Sequence, residues 1–273
     1  MLKLRLMTAG VLLAVALPAL FYTPRWVFAA FSLLLMVGAF WEWGRLNGLS
    51  PRAARVSAAL VGLAGAVLVA PLSASAMGAG GLAAAWLIVL VGGLRWGPSH
   101  WHRVPQAGRL AGGWLLLLGS WWSLLQLHQR GALFLLSVLA IAWVADSLAY
   151  GGGRLFGKRR LAPRISPGKS WEGVACGALG VLAWAGLWVV WMDPQGLWGP
   201  TLYADLAGHG VFGLALMLLA LTAVTVMGDL FESMVKRSAG VKDASGLLPG
   251  HGGVLDRLDA LLPLMPMAFW LVL

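Results

Sequence analysis

Asp229, Glu232, Ser233 and Lys236 fall at i, i+3, i+4 and i+7, a spacing that places them on one face of a helix. Asp256 and Asp259, again three apart, follow the run P-G-H-G-G at Pro249–Gly253. Three glycines in four positions hold a helix poorly, but they let backbone N–H groups approach an anion closely. Lys236, Arg237, Lys242 and Arg257 are interleaved with the acids. Carboxylates on two segments, cations and a glycine turn are the parts of a Mg²⁺–phosphate site. Mg²⁺ takes one or two carboxylates and completes its shell with water and phosphate oxygens, while cations hold other phosphate oxygens. Asp229 and Asp256 lie at the edges of consecutive apolar runs and are the expected metal ligands. Asp259 pairs with Arg257 or orients Asp256. Lys242–Asp243 reads equally as a surface pair or a substrate contact, and His251 as a turn cap or a phosphate contact. Five of the ten acidic residues sit in this stretch, with apolar sequence on either side. Charge this dense beside membrane spans is costly to keep, and the default reading is a functional site.

A second block runs from Asp146 to Gly173, D-S-L-A-Y-G-G-G-R-L-F-G-K-R-R-L-A-P-R-I-S-P-G-K-S-W-E-G. Asp146 sits about one turn inside an apolar run, and Gly151–Gly153 are expected to break that helix. Six cations follow. Ser166 is expected to cap the next helix with Pro167 in its first turn, which puts Lys169 and Ser170 at a helix N-terminus, a natural phosphate site. The S-P-G-K-S run is not a P-loop: Pro163 stands where that motif needs its first glycine, and no strand precedes it.

The run Ser233–Asp259, S-M-V-K-R-S-A-G-V-K-D-A-S-G-L-L-P-G-H-G-G-V-L-D-R-L-D, resembles the signature of the phosphatidate cytidylyltransferase (CDP-diacylglycerol synthase) family. S-x-x-K-R, K-D, H-G-G and D-R-x-D appear in order and at the family spacing. D-x-x-A-Y, G-R-x-F-G-K and I-S-P-x-K-[ST]-x-E-G in the second block are similar to the family's other recurring segment. The resemblance covers specific motifs over residues 143–259. It implies that CTP and phosphatidic acid give CDP-diacylglycerol and pyrophosphate, by direct attack of a lipid phosphate oxygen on the α-phosphorus. In that reading Asp229 and Asp256 hold Mg²⁺, alone or with a second cation. Lys236, Arg237 and Lys242 neutralise the leaving pyrophosphate, and His251 meets a phosphate or the cytosine. The Ser166–Ser170 turn, with Lys169, binds the lipid phosphate or the triphosphate. Asp146, Ser233, Asp243, Gly252, Gly253, Arg257 and Asp259 complete the substrate contacts. The fatty chains are expected to enter sideways between spans.

The elements that must position these groups are membrane helices. Of 273 residues 60% are hydrophobic and 11% charged, with mean hydropathy +0.82, against about 25% charged in soluble domains. The expected fold is all-α and polytopic, with about nine transmembrane helices near 6–24, 26–44, 54–72, 77–94, 110–128, 131–150, 173–192, 206–228 and 258–273. The last is short, carries Pro263 and Pro266, and is expected to be broken or tilted. With a cytoplasmic N-terminus, 18 of the 20 Lys and Arg fall on inner segments. This orients the chain in the inner (cytoplasmic) membrane with both charged blocks facing the cytoplasm. Residues 1–130 read as scaffold helices with room for a homodimer contact, and 131–273 as the catalytic part. Glu42 is expected to pair with Arg45, and His100 and His102 read as an interfacial loop. Cys176, the single cysteine, reads as a small residue in a helix. The cations are spread over short loops, so nucleic-acid binding is not expected. A cation-coupled transporter is the alternative that Asp146 and Asp229 leave open, but the charges cluster at one surface and no repeat is visible. A CDP-alcohol phosphotransferase would need D-G-x-x-A-R, which is absent.

Overall fold

The computed structural model describes residues 2–69, 72–193 and 199–273, leaving aside the side chains of residues 2–9, 12 and 13. Lys3 and Arg5, used for the topology, fall among those side chains. Helix α1 (Leu2–Tyr22) is followed by α2 (Arg25–Leu46) and by α3 (Pro51–Ala64), which runs on as a π-helical turn over Gly65–Val69. Then come α4 (Ala76–Trp96), a single turn α5 (Pro98–Trp101), α6 (Gln106–Gln129) and α7 (Ala132–Phe156). A small hairpin, β1 (Arg160–Ala162) and β2 (Ser166–Ser170), leads into α8 (Trp171–Leu187), which ends in a π-helical turn at Trp188–Met192. Short α9 (Leu202–Ala207), the 29-residue α10 (Gly210–Ser238), α11 (Leu255–Leu258) and α12 (Leu261–Leu271) complete the chain.

Among the described residues seven helices are long and apolar enough to cross a membrane. They match seven of the expected spans, from the second to the eighth. The expected span over 258–273 is broken: α11 and α12 are separated by a turn at Asp259–Ala260. Eleven residues rise about 16 Å, roughly half of a bilayer's hydrocarbon core. Helix α12 is instead a core element, with Leu261 to Phe269 all buried among α4, α6 and α10. Pro266 cannot donate to the Leu262 carbonyl four residues earlier, and Ser120 Oγ supplies the missing donor at 2.7 Å.

Gly151, Gly152 and Gly153 do not break α7, which continues to Phe156. Gly152 and Gly153 serve packing, while an added Cβ at Gly151 would meet no atom within 4 Å. Gly173 and Gly177 of α8, four apart, would place a Cβ 2.7 Å from the Ala149 and Ala145 carbonyl oxygens of α7. Gly152 faces Cys176 in the same seam. Small residues at this spacing let two helices approach at backbone distance without a hydrophobic drive between them. The seam fixes where α7 delivers Asp146 and where α8 begins.

Gly177→Ala should therefore lower the apparent Tm in detergent, an overpacking loss of about 1–3 kcal/mol. Gly186→Ala in the same helix, where no atom lies within 4 Å of an added Cβ, should leave it unchanged. Equal Tm values for both variants would contradict the seam.

Candidate active site

The C-terminal end of α10 carries the predicted face. Ser233 Oγ lies 3.4 Å from Asp229 Oδ1, one turn back. Lys236 Nζ lies 2.5 Å from Glu232 Oε2 and 2.5 Å from Asp256 Oδ1, so one ammonium joins α10 to α11. The Glu232 contact is an ion pair without hydrogen-bond alignment, and both Glu232 oxygens are buried with no hydrogen-bond donor. Gly228 lets the next segment come close: a Cβ there would stand 2.6 Å from the Asp259 carbonyl oxygen. That contact sets the start of α12 against α10 beside Asp229.

The second block reaches the same place differently from the expectation. Ser166 and Pro167 do not open a helix but lie in β2, paired antiparallel with β1. Pro163 follows Ala162 in the connecting turn, closed by Ile165 N–H donating to the Ala162 carbonyl at 3.1 Å. The helix cap is Ser170, which is extended (φ −129°, ψ 157°) and accepts from Gly173 N–H at 3.2 Å. Glu172 in the first turn of α8 accepts from the Lys158 and Arg159 N–H groups at 3.0 and 3.1 Å and ties the hairpin down. Lys169 thus projects from the strand's end and forms an ion pair with Asp229. Asp146 on α7 lies within electrostatic reach of Lys169 and Asp229, as Asp259 does of Asp229, Asp146 and Lys236. Five carboxylates, Asp146, Asp229, Glu232, Asp256 and Asp259, thus share two ammonium groups, Lys169 and Lys236.

The glycine turn binds protein carboxylates. Gly250 and Gly252 have φ of +78° and +83°, the left-handed region that favours glycine. Gly253 N–H donates to Asp256 Oδ2 at 2.7 Å, and Ala244 N–H joins it at 3.0 Å. Burial alone would raise the Asp256 carboxyl, but the Lys236 ammonium and these two N–H groups outweigh it and hold it below the ordinary carboxylate range. Arg257 does not reach Asp259; its Nε and Nη2 donate to the His251 carbonyl at 3.0 and 2.7 Å. His251 Nδ1 is buried without a hydrogen-bond partner. Arg237 donates to the Ile165 and Val241 carbonyls at 3.4 and 3.3 Å, linking α10 to the hairpin. Lys242 and Asp243 are exposed.

One site residue comes from the half of the chain where the sequence offered no chemistry. Glu42, fully buried on α2, does not pair with Arg45, which donates to the Leu49 carbonyl. Its Oε1 accepts from Ser245 Oγ at 2.5 Å and Val254 N–H at 2.9 Å, and its Oε2 from Leu255 N–H at 2.6 Å. A Cβ at Gly253 would sit 2.5 Å from this carboxylate. The second glycine of H-G-G is therefore where the loop closes over Glu42. The only sequence signal was an acid inside an apolar run.

Fold and site define a polytopic membrane protein with a carboxylate-rich centre at one end of its bundle. The chain belongs to the cytidylyltransferase family, whose model matches residues 3–273. It is similar to a phosphatidate cytidylyltransferase of Pseudomonas aeruginosa, 38% identical over 97% of this chain and 95% of the relative. A phosphatidate cytidylyltransferase of Brucella abortus is 35% identical over 86% of this chain and 80% of its own length. One of Haemophilus influenzae is 47% identical over 50% of this chain and 44% of its own length.

Glu42→Ala would strand the Val254 and Leu255 N–H groups, a loss on the order of 2–4 kcal/mol. Amide exchange at Val254 and Leu255 should become much faster, while Glu42→Gln, which keeps one acceptor oxygen, loses less. Unchanged protection in Glu42→Ala would show that the loop does not depend on this carboxylate.

Proposed function

We infer that the chain transfers the CMP moiety of CTP to phosphatidic acid, giving CDP-diacylglycerol and pyrophosphate. The observation that carries the reading is the relative named phosphatidate cytidylyltransferase that aligns with 97% of this chain. The convergence of the two charged blocks on one centre supports it. A lipid phosphate oxygen attacks the α-phosphorus of CTP. The bond from that phosphorus to the oxygen bridging to the β-phosphate breaks, and pyrophosphate leaves. Transfer of this kind asks the protein for position and charge neutralisation.

Lys169 and Lys236 now rest on carboxylates within one cluster. As the polyphosphate enters, both ammonium groups can turn to its oxygens. Arg237, beside the hairpin, and Lys242, exposed in the loop, supply further positive charge for the leaving pyrophosphate. Ser170 is committed to its cap, which leaves Lys169 as the group that β2 offers to a phosphate. His251, with a free ring nitrogen, is placed in the glycine turn for a phosphate or the base.

Among the described residues no three acidic or histidine side chains stand together as a ready metal site, and Asp229 and Asp256 are engaged by Lys169 and Lys236, so a cation could be held only once those ammonium groups turn to the polyphosphate. Asp229 and Asp256 would hold Mg²⁺, alone or with a second cation, which when bound neutralises the triphosphate. Residues 131–273 carry the chemistry, with Glu42 of the preceding part as their support. The bias of cations to one set of loops orients the site to the cytoplasm of the inner membrane, where CTP is available.

Purified protein should release pyrophosphate from CTP only when phosphatidic acid and Mg²⁺ are both present. Asp229→Asn and Asp256→Asn, shown to be folded, should each lose roughly 10²-fold or more in kcat. No release from any nucleoside triphosphate by folded wild-type protein would sink the reading and favour a cation-coupled transporter.

A further inference from the structure

One sizeable cavity is not used by the mechanism above. About 750 Å³ lies open between α2, α4, α6 and α10, from Trp96 and Arg109 at the charged end of the bundle inward to Trp86 and Leu117. The wall is mostly apolar, with Trp43, Trp86, Trp96 and Trp101 prominent. Gly92 and Gly112 lie on it, and an added Cβ at either would meet no atom within 4 Å. These two glycines keep the space clear. Glu232 and Asp259 reach the wall from the carboxylate cluster, so the cavity borders the reacting centre.

Arg109 is also on the wall, one of four charged residues there with Arg95, Glu232 and Asp259. It is only 8% exposed, and no carboxylate pairs with it among the described residues. Its Nη1 donates to His102 Nδ1 at 3.0 Å and lies 3.5 Å from Asn47 Oδ1. The His102 ring is held in turn by its Nε2, 2.9 Å from the Ser238 carbonyl at the end of α10. The Arg109 Nε is buried with no acceptor. A guanidinium stays charged, and a buried one without a counter-ion is costly in a membrane protein. Neutral partners fix its position and leave its charge unanswered. A guanidinium with free donors matches the two-oxygen edge of a phosphate.

We propose that this cavity seats the phosphatidic acid, with its phosphate monoester on Arg109 and an acyl chain among the tryptophans. The proposal rests on the reading of the enzyme as one that uses this lipid. It places the two substrates on different flanks of α10. The nucleotide approaches the Asp229–Lys169 side, and the lipid the Phe231–Val235 side. Glu232 and Lys236 stand between them, at the point where the lipid phosphate must pass to reach the α-phosphorus. The carboxylates at that border disfavour an anion until the cluster is neutralised, which favours productive entry of the lipid after the nucleotide and its cation.

The test uses full-length protein in detergent and a phosphatidic acid with a diazirine on one acyl chain, without CTP. Peptide mapping after photolysis should place the label on 86–96 of α4 and 108–117 of α6. Gly112→Leu and Gly92→Leu, which fill the space, should abolish that label. Arg109→Gln should weaken it by roughly tenfold for phosphatidic acid and leave labelling by the matching phosphatidylcholine unchanged. In turnover, these variants should raise KM for phosphatidic acid and not KM for CTP. Label mapping elsewhere, or label on α4 and α6 that folded Gly112→Leu and Arg109→Gln leave intact, overturns the proposal. The predicted labelling without turnover of any nucleotide keeps the lipid seat and removes the reaction assigned to it. Turnover with the label elsewhere does the reverse.

Discussion

The Lys236 ammonium, 2.5 Å from both Glu232 and Asp256, is the interaction on which the rest of the site depends. Its side chain is buried with those of its partners at the end of a membrane bundle, where charges are poorly screened. Removing one member leaves the others uncompensated, which costs more than the pair gains. This one contact joins α10 to the turn before α12. The glycine loop is thereby stretched between a cation on one side and the Glu42 carboxylate on the other. Asp256 receives the Lys236 ammonium and two backbone N–H groups. Glu42 receives a hydroxyl and two more N–H groups. The loop has little regular structure of its own, and these two carboxylates replace a backbone ladder.

Close approach is what lets the charges meet. Gly228 admits the Asp259 backbone, Gly253 admits Glu42, and Gly173 and Gly177 admit α7. In each place a methyl group would hold apart segments whose polar groups must touch. Helix α12 shows the same economy. Its prolines free carbonyls inside the bundle, and Ser120 of α6 answers one of them. The short buried helix therefore holds the Asp259 turn from behind while the long helices form the frame.

Much of this was legible in the sequence where the period of a helix decides. The apolar runs gave the long spans, and the i, i+3, i+4, i+7 spacing gave the α10 face with its Asp229–Ser233 and Glu232–Lys236 contacts. Glu42 was not legible, because its acceptors' partners are backbone N–H groups 212 and 213 residues away, and backbone groups carry no sequence signature. The hairpin over 160–170 was missed for another reason: strands of three and five residues are too short to show a period. Pro167 and Ser166 imitate a helix start that Ser170 makes instead. The three glycines of α7 read as a break, because propensity weighs against them. For Gly152 and Gly153, packing against Cys176 and the start of α8 outweighs it, and that depends on a partner helix that local sequence does not reveal.

The centre holds carboxylates, ammonium groups and one unpartnered imidazole nitrogen, and each has a use in holding charge. Of the serines there, Ser170 caps a helix, Ser245 Oγ is held by the buried Glu42 that closes the loop, and Ser233 Oγ lies 3.4 Å from Asp229, an expected cation ligand. The account therefore makes the lipid phosphate the only nucleophile, acting while both substrates are bound. Isotope exchange between labelled pyrophosphate and CTP tests this most directly. Direct transfer predicts exchange only when CDP-diacylglycerol or phosphatidic acid is present. Exchange at a comparable rate in lipid-free enzyme would reveal a cytidylyl group carried on the protein and contradict the account.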